Sequence, residues 1–167
     1  MQTIHVLSTG GTLEKIYSER TGSVENSGSK IDRYLKLLRL PALRINAVSL
    51  MNVDSLYMTV EDRELIVEAV RERLKSDQPV VITHGTDTMV ETGMVLKRGI
   101  PAPAAPVILT GAMTPLGFEG SDGLQNITES LLAARLLAPG IYVVMHNEVF
   151  PIDRVRKDRE LSRFVWL

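Results

Sequence analysis

This sequence predicts an α/β fold: a doubly wound, mostly parallel sheet of the flavodoxin- or Rossmann-like kind. Three observations carry that prediction. Short β-branched runs alternate with longer segments whose apolar residues recur at helical spacing. The strand-like runs end in clusters of glycine, threonine and serine, and Pro41, Pro79, Pro106 and Pro139 stand between the periodic segments. Strands that alternate with helices build a parallel sheet through right-handed crossovers. With 167 residues the chain can bury one core of ordinary size, so residues 1–167 are read as a single domain.

The elements follow in order. Ile4, Val6 and Leu7 form a strand from Thr3 to Ser8, cut off at Thr9-Gly10-Gly11-Thr12. The stretch from Thr12 to Gly28 is rich in glycine, serine and charge and reads as a loop long enough to act as a lid. Ile31, Tyr34, Leu35, Leu37, Leu38 and Leu40 recur at helical spacing until Pro41. A second strand runs from Leu43 to Val53 and ends at Asp54-Ser55. Thr59 then caps a helix carrying Glu61 and Asp62 in its first turn, where the helix dipole favours acids, and running to about Lys75.

The third strand is Val80-Val81-Ile82-Thr83, ending at His84-Gly85-Thr86-Asp87-Thr88, and a helix follows from Met89 to Lys97. Val107 to Leu109 makes the next strand, ending at Thr110-Gly111-Ala112-Met113. Gly117 to Gly123 reads as a loop, Asn126 to Leu137 as an apolar helix, and Ile141 to Met145 as a strand. The segment from Asp153 to Arg163 is densely charged and, on charge alone, reads as a solvated surface.

Composition narrows the function. Apolar residues at 44% and charged residues at 23% are those of an ordinary globular domain. A net charge of −1 offers nothing to nucleic acid or to an acidic membrane. No apolar run approaches the roughly 20 residues of a membrane span. The chain has no cysteine, and the start of the sequence lacks a basic region followed by an apolar core, which together suit a cytoplasmic protein. His5, His84 and His146 show no metal-ligand spacing, so no metal is expected, and each is read as a packing and hydrogen-bonding residue.

Chemistry concentrates at the strand ends. In an open α/β sheet, ligands bind at the carboxyl ends of the strands. Neither the dinucleotide fingerprint nor the Walker A pattern follows the first strand. Thr12 after two glycines reads as part of a tight turn, as part of an anion-binding loop of backbone amides, or as a hydroxyl presented to a substrate that the glycine backbone lets approach. Thr86 and Asp87 read either as an N-cap pair or as groups of the same site. Their recurrence with Thr12 at one sheet edge favours a site for nucleophilic attack. A threonine hydroxyl needs a base to become a good nucleophile. Backbone N–H groups near Gly11 and Thr86 would stabilise the oxyanion of such an attack.

Thr9-Gly10-Gly11-Thr12 together with Thr83-His84-Gly85-Thr86-Asp87-Thr88 resembles the two signatures of bacterial-type L-asparaginases. Thr110-Gly111-Ala112-Met113, Asp122-Gly123 through Asn126, Val143-Val144-Met145 and Lys157 continue the likeness in order. The resemblance implies the fold of that family's N-terminal domain and an amidohydrolase that converts L-asparagine to L-aspartate and ammonia without a cofactor. It implies Thr12 as nucleophile, Tyr17 as its orienting tyrosine, and Thr86, Asp87 and Lys157 as a second catalytic triad. It further implies that Gly11, Ser55, Thr86, Asp87 and Ala112 bind substrate, Ser55 at the α-carboxylate and Asp87 at the α-amino group.

Members of that family are commonly longer by a second domain that completes a neighbouring subunit's site; here that domain is expected to be absent. Leu56 and Tyr57 stand after Ser55, where the family usually has a polar residue. A homo-oligomer, dimer or tetramer, is therefore expected to complete and shield the site, and Phe164 to Leu167 offer an apolar contact. Two alternatives stand beside this reading: the amidase subunit of an ammonia-feeding amidotransferase, and a catalytically silent amino-acid-binding domain.

Overall fold

The structure, a computed structural model, describes residues 1–26 and 31–167. The main sheet contains β1 (Gln2–Gly10), β4 (Leu43–Val53), β5 (Val80–Thr83), β6 (Pro106–Thr110), β7 (Gly140–Met145) and β8 (Glu148–Pro151). Their order is β4-β1-β5-β6-β7-β8, and every pairing is parallel except β7 with β8. Counting only the parallel strands in chain order, this is the 2-1-3-4-5 arrangement of flavodoxin-like sheets, with its switch point between β1 and β5.

Side chains alternate across the sheet as strand geometry requires. Leu7, Ile82, Leu109 and Val143 enter one core with α2 (Val60–Leu74) and α3 (Met89–Gly99). Val6, Val81, Ile108 and Val144 enter the other with α1 (Ile31–Leu35) and α4 (Gly123–Leu136). Helices on both faces establish the doubly wound class. Thr59 caps α2 as expected, and its hydroxyl and Asp62 satisfy each other's backbone N–H in a capping box.

Four expectations change. The glycine- and serine-rich stretch after Thr12 is a 3₁₀ turn followed by a hairpin, β2 (Lys15–Ser18) with β3 (Ser23–Asn26); the last two residues of the predicted loop lie outside the described residues. The helix at Ile31 ends at Leu35, because Leu37 and Leu38 bond back three residues in turns and Leu37 points to solvent. α4 begins at Gly123, three residues ahead of the predicted start, and shortens the preceding loop.

The charged segment is the largest correction. It forms β9 (Val155–Asp158) and β10 (Arg163–Trp166), an antiparallel hairpin. Val155 and Phe164 turn inward and join the core beside α3, while most of the intervening charges stay outside. Trp166 stacks at a tilt on Phe150 of β8, with ring centroids 5.0 Å apart. Dense charge concealed a strand whose buried residues are few and widely spaced.

Candidate active site

The parallel strands align their carboxyl ends. Ser8 is in register with Thr83, and Thr83 with Thr110, while β4 stays paired with β1 as far as Val53 and Gly10. The segments that follow these strands therefore emerge side by side. Thr9 Oγ1 donates to Thr83 O at 2.8 Å and ties β1 to β5 where they end.

Glycine lets three of these segments converge. Gly10 and Gly11 have φ of +100° and +81°, a region other residues rarely adopt. A Cβ on Gly11 would overlap the backbone of Gly85, and one on Gly85 would overlap the Ser55 side chain. The two threonine-bearing turns are thus in backbone contact, with Ser55 stacked on the second. Thr12 opens the 3₁₀ turn and is partly exposed, whereas Ser55 and Thr86 are buried.

Thr86 and Asp87 do not cap α3. Thr88 occupies the N-cap position and its hydroxyl instead donates to Ser55 O at 2.9 Å. Thr86 and Asp87 meet Lys157, which β9 delivers across the sheet edge. Lys157 Nζ lies 2.8 Å from Thr86 Oγ1 and 2.9 Å from Asp87 Oδ1. Its side chain is only 16% exposed, which overturns the solvated-surface reading for this residue. Arg159 adds a second cation 3.4 Å from the same Asp87 oxygen.

The hairpin that follows Thr12 is tied down on the far side of the turn. Lys15 Nζ donates to Asp54 Oδ2 at 2.7 Å, and that bond, outweighing partial burial, holds the Asp54 carboxyl below the ordinary range. Asn26, with its amide nitrogen turned toward Gly11, donates to Gly11 O (2.9 Å) and accepts from Asp54 N (3.2 Å). Tyr17 sits in β2 opposite Val24 and is 58% exposed, so its ring is on the surface of the hairpin. Gly11 N is spent on Val53 O, which removes that amide from any oxyanion-binding role.

Residues 3–163 match the family described as "Asparaginase, N-terminal". The chain belongs to this family. It is 35% identical to the L-asparaginase of Thermococcus kodakarensis over 157 residues, which is 94% of this chain and 48% of that protein. A glutamyl-tRNA(Gln) amidotransferase subunit of Methanococcus vannielii is 32% identical over 151 residues, covering 89% of this chain and 35% of that one. The solved structure of the thermostable T. kodakarensis L-asparaginase superposes with a TM-score of 0.88 at 31% identity, over 99% of this chain and 51% of the other. A probable cytoplasmic L-asparaginase from Campylobacter jejuni gives 0.84 at 26%, over 98% and 51%. The chain spans about half the length of the L-asparaginases it matches.

In this asparaginase-family domain, two histidines have more specific roles than sequence could give. His84 is fully buried; Nδ1 faces Gly85 O at 2.7 Å and Nε2 faces Thr92 Oγ1 at 2.8 Å. Burial lowers its pKa to about 4, so it is a neutral spacer that shapes the turn carrying Thr86. His146 lies 2.7 Å from Asp122, and this pair, with Asn126, braces the loop containing Ala112. Asp122 and Asn126 stand out in the sequence only as part of the family likeness. Their partners lie on separate elements, at separations no local pattern encodes.

Proposed function

We propose that this chain is the nucleophile-bearing domain, residues 1–167, of an amidohydrolase that converts L-asparagine to L-aspartate and ammonia. The observation that carries the reading is the Lys157–Thr86–Asp87 cluster, held beside the turn that presents Thr12. Family membership and the likeness to L-asparaginases support the same chemistry.

Thr12 Oγ1 attacks the side-chain amide carbon, and the amides of Thr12 and Thr86 stabilise the oxyanion that forms. The C–N bond breaks, the departing nitrogen takes the threonine proton, and ammonia leaves behind a β-aspartyl ester on Thr12. Water then cleaves that ester, restoring the hydroxyl and releasing aspartate. With Lys157 neutral, its contact with Thr86 gives a path for a proton away from the attacking group. Ser55 and Asp87 grip the α-carboxylate and α-amino groups, and Tyr17 closes over Thr12 when the hairpin bends inward. The reaction uses no cofactor. A homo-oligomer shields the site, and the cysteine-free chain works in the cytoplasm.

The test is ammonia release by the full chain from asparagine, glutamine and β-aspartyl hydroxamate, with Thr12→Ala and Thr86→Ala beside it. Release from asparagine, lost in Thr12→Ala, supports the reading. A trapped ester found by mass spectrometry on Thr86 would reassign the nucleophile. Aspartate binding without ammonia release would favour a silent binding domain.

The likeness to the glutamyl-tRNA(Gln) amidotransferase protein favours one second reading, an amidase that passes ammonia to a partner. Slow release that rises when a partner protein is added distinguishes it.

A further inference from the structure

One wall of the site is braced by groups that the proposed chemistry leaves unused. The loop leaving β6 runs through Gly111, Ala112, Met113 and Thr114, and it lies against the turn after β5. A Cβ on Gly111 would overlap His84 O and lie in van der Waals contact with the Thr86 methyl. This loop is not regular structure, so something else must fix its backbone.

Asp122 supplies the fixing group. Both of its carboxylate oxygens accept from Met113 N at 3.0 Å, and Oδ1 also accepts from Thr114 N at 3.0 Å. Asn126, fully buried on the first turn of α4, donates from Nδ2 to Gly111 O (3.0 Å) and to Asp122 Oδ2 (2.9 Å). Its Oδ1 accepts from His146 N at 2.9 Å.

The bracing extends into the turn between β7 and β8. His146 and Asn147 have φ of +52° and +64°, the left-handed pair of a two-residue hairpin turn, and neither is glycine. That turn puts His146 Nε2 2.7 Å from Asp122 Oδ2. Asn147 N is held in turn by Glu129 Oε2 at 2.7 Å. Burial opposes the Asp122 charge, yet the Met113 and Thr114 amides and His146 outweigh it and keep the carboxyl below its ordinary range.

We propose that Asp122, Asn126 and His146 form a positioning clamp that fixes the Gly111–Thr114 backbone as the substrate-binding wall beside Thr86. None of the three is a catalytic residue; they act through Gly111, which packs on the turn carrying Thr86. The inference rests on the proposed amide hydrolysis, because the Gly111 backbone that the clamp fixes lies against the turn carrying Thr86 and Asp87. A clamp of this kind acts on binding. Losing it raises KM for asparagine while kcat, set by Thr12 and Lys157, stays nearly constant.

The experiment uses the full chain and three variants: Asp122→Asn, His146→Ala and His146→Gln. In Gln the side-chain amide can still donate to Asp122, so that variant is the rescue. Two readouts are taken: KM and kcat for asparagine, and the exchange rates of the Met113 and Thr114 amide hydrogens. The expected result is a KM rise of about tenfold in Asp122→Asn and His146→Ala, with kcat changed less than about threefold and His146→Gln close to wild type. Both amides exchange faster in the two damaging variants. If Asp122→Asn does not fold, His146→Ala carries the comparison. Faster exchange with an unchanged KM overturns the positioning role, and so does unchanged exchange. Wild-type chain that releases no ammonia from asparagine defeats the proposed function instead; amide exchange still tests whether the clamp holds the loop.

Discussion

Lys157 Nζ lies 2.8 Å from Thr86 Oγ1, joining residues 71 apart in the chain. The contact exists because the hairpin of β9 and β10 anchors Val155 and Phe164 in the core and so directs the intervening lysine back over the end of β5. Replacing that lysine tests the proton path with little change in packing. Lys157→Met is expected to lower kcat for ammonia release by about 100-fold or more, the usual contribution of a positioned acid–base group. Aspartate binding, measured calorimetrically, should persist. Turnover at the wild-type rate would exclude Lys157 from the reaction.

Gly85 carries the close approach of three strand ends. A methyl group there would overlap Ser55, which is itself buried under the turn. Gly85→Ala is expected to destabilise the fold by about 1–3 kcal/mol, as overpacking of a tight site does. Urea unfolding at neutral pH measures it. An unchanged midpoint would mean that the strand ends separate freely and that their contact does not define the site.

His84 makes stability depend on pH. Its folded pKa is lowered to about 4, chiefly by burial, from the 6.5 of an exposed imidazole. Between these values the unfolded chain takes up a proton that the folded chain refuses, so stability falls as pH drops from about 6.5 to about 4. The loss is on the order of 3 kcal/mol at the lower limit. Below it, Asp54 and Asp122, whose folded pKa values are lowered, lose stabilisation as they protonate. Urea midpoints at pH 7 and pH 4.5 should differ, and His84→Gln should remove most of the difference in that window. An equal difference in the variant would assign it to other groups.

The Lys15–Asp54 ion pair is about three-quarters buried on both sides and joins the β2–β3 hairpin to the end of β4. Lys15→Met is expected to free the hairpin at a cost of about 1 kcal/mol, the upper range for pairs near a surface. Hydrogen exchange across residues 15–26 should accelerate while the β5 and β6 amides stay protected. Uniform acceleration across the sheet would show that the pair stabilises the whole fold and is no specific tie on the hairpin.

Much of the candidate site is legible in the chain because its parts are local. Thr12 follows two glycines, Thr86 and Asp87 follow a β-branched run, and strand ends in such sheets face one edge. Lys157 emerges through family likeness against a local pattern that argues the other way, since its neighbours Arg156, Asp158 and Arg159 look like surface. The hairpin after Thr12 is hidden because polar two-stranded ribbons lack a strong alternation of apolar residues. The His146–Asp122 contact joins a turn to a helix start 24 residues earlier, a distance over which sequence carries no signal of pairing.

By itself the sequence determined the alternation of strands and helices, the doubly wound sheet, the capped start of α2 and the threonine-bearing strand ends. These depend on periodicity, backbone stiffness and turn chemistry, all of which act over a few residues. The tertiary structure decided which carbonyls, amides and cations those strand ends meet. It placed Lys157 on Thr86 and Asp87 instead of in solvent, gave the Gly11 amide to Val53, and clamped the Ala112 loop with Asp122. Those contacts are set by the register of β1, β5 and β6 and by the burial of Val155 and Phe164. Burial and register depend on the whole core, and no single stretch of the chain contains them.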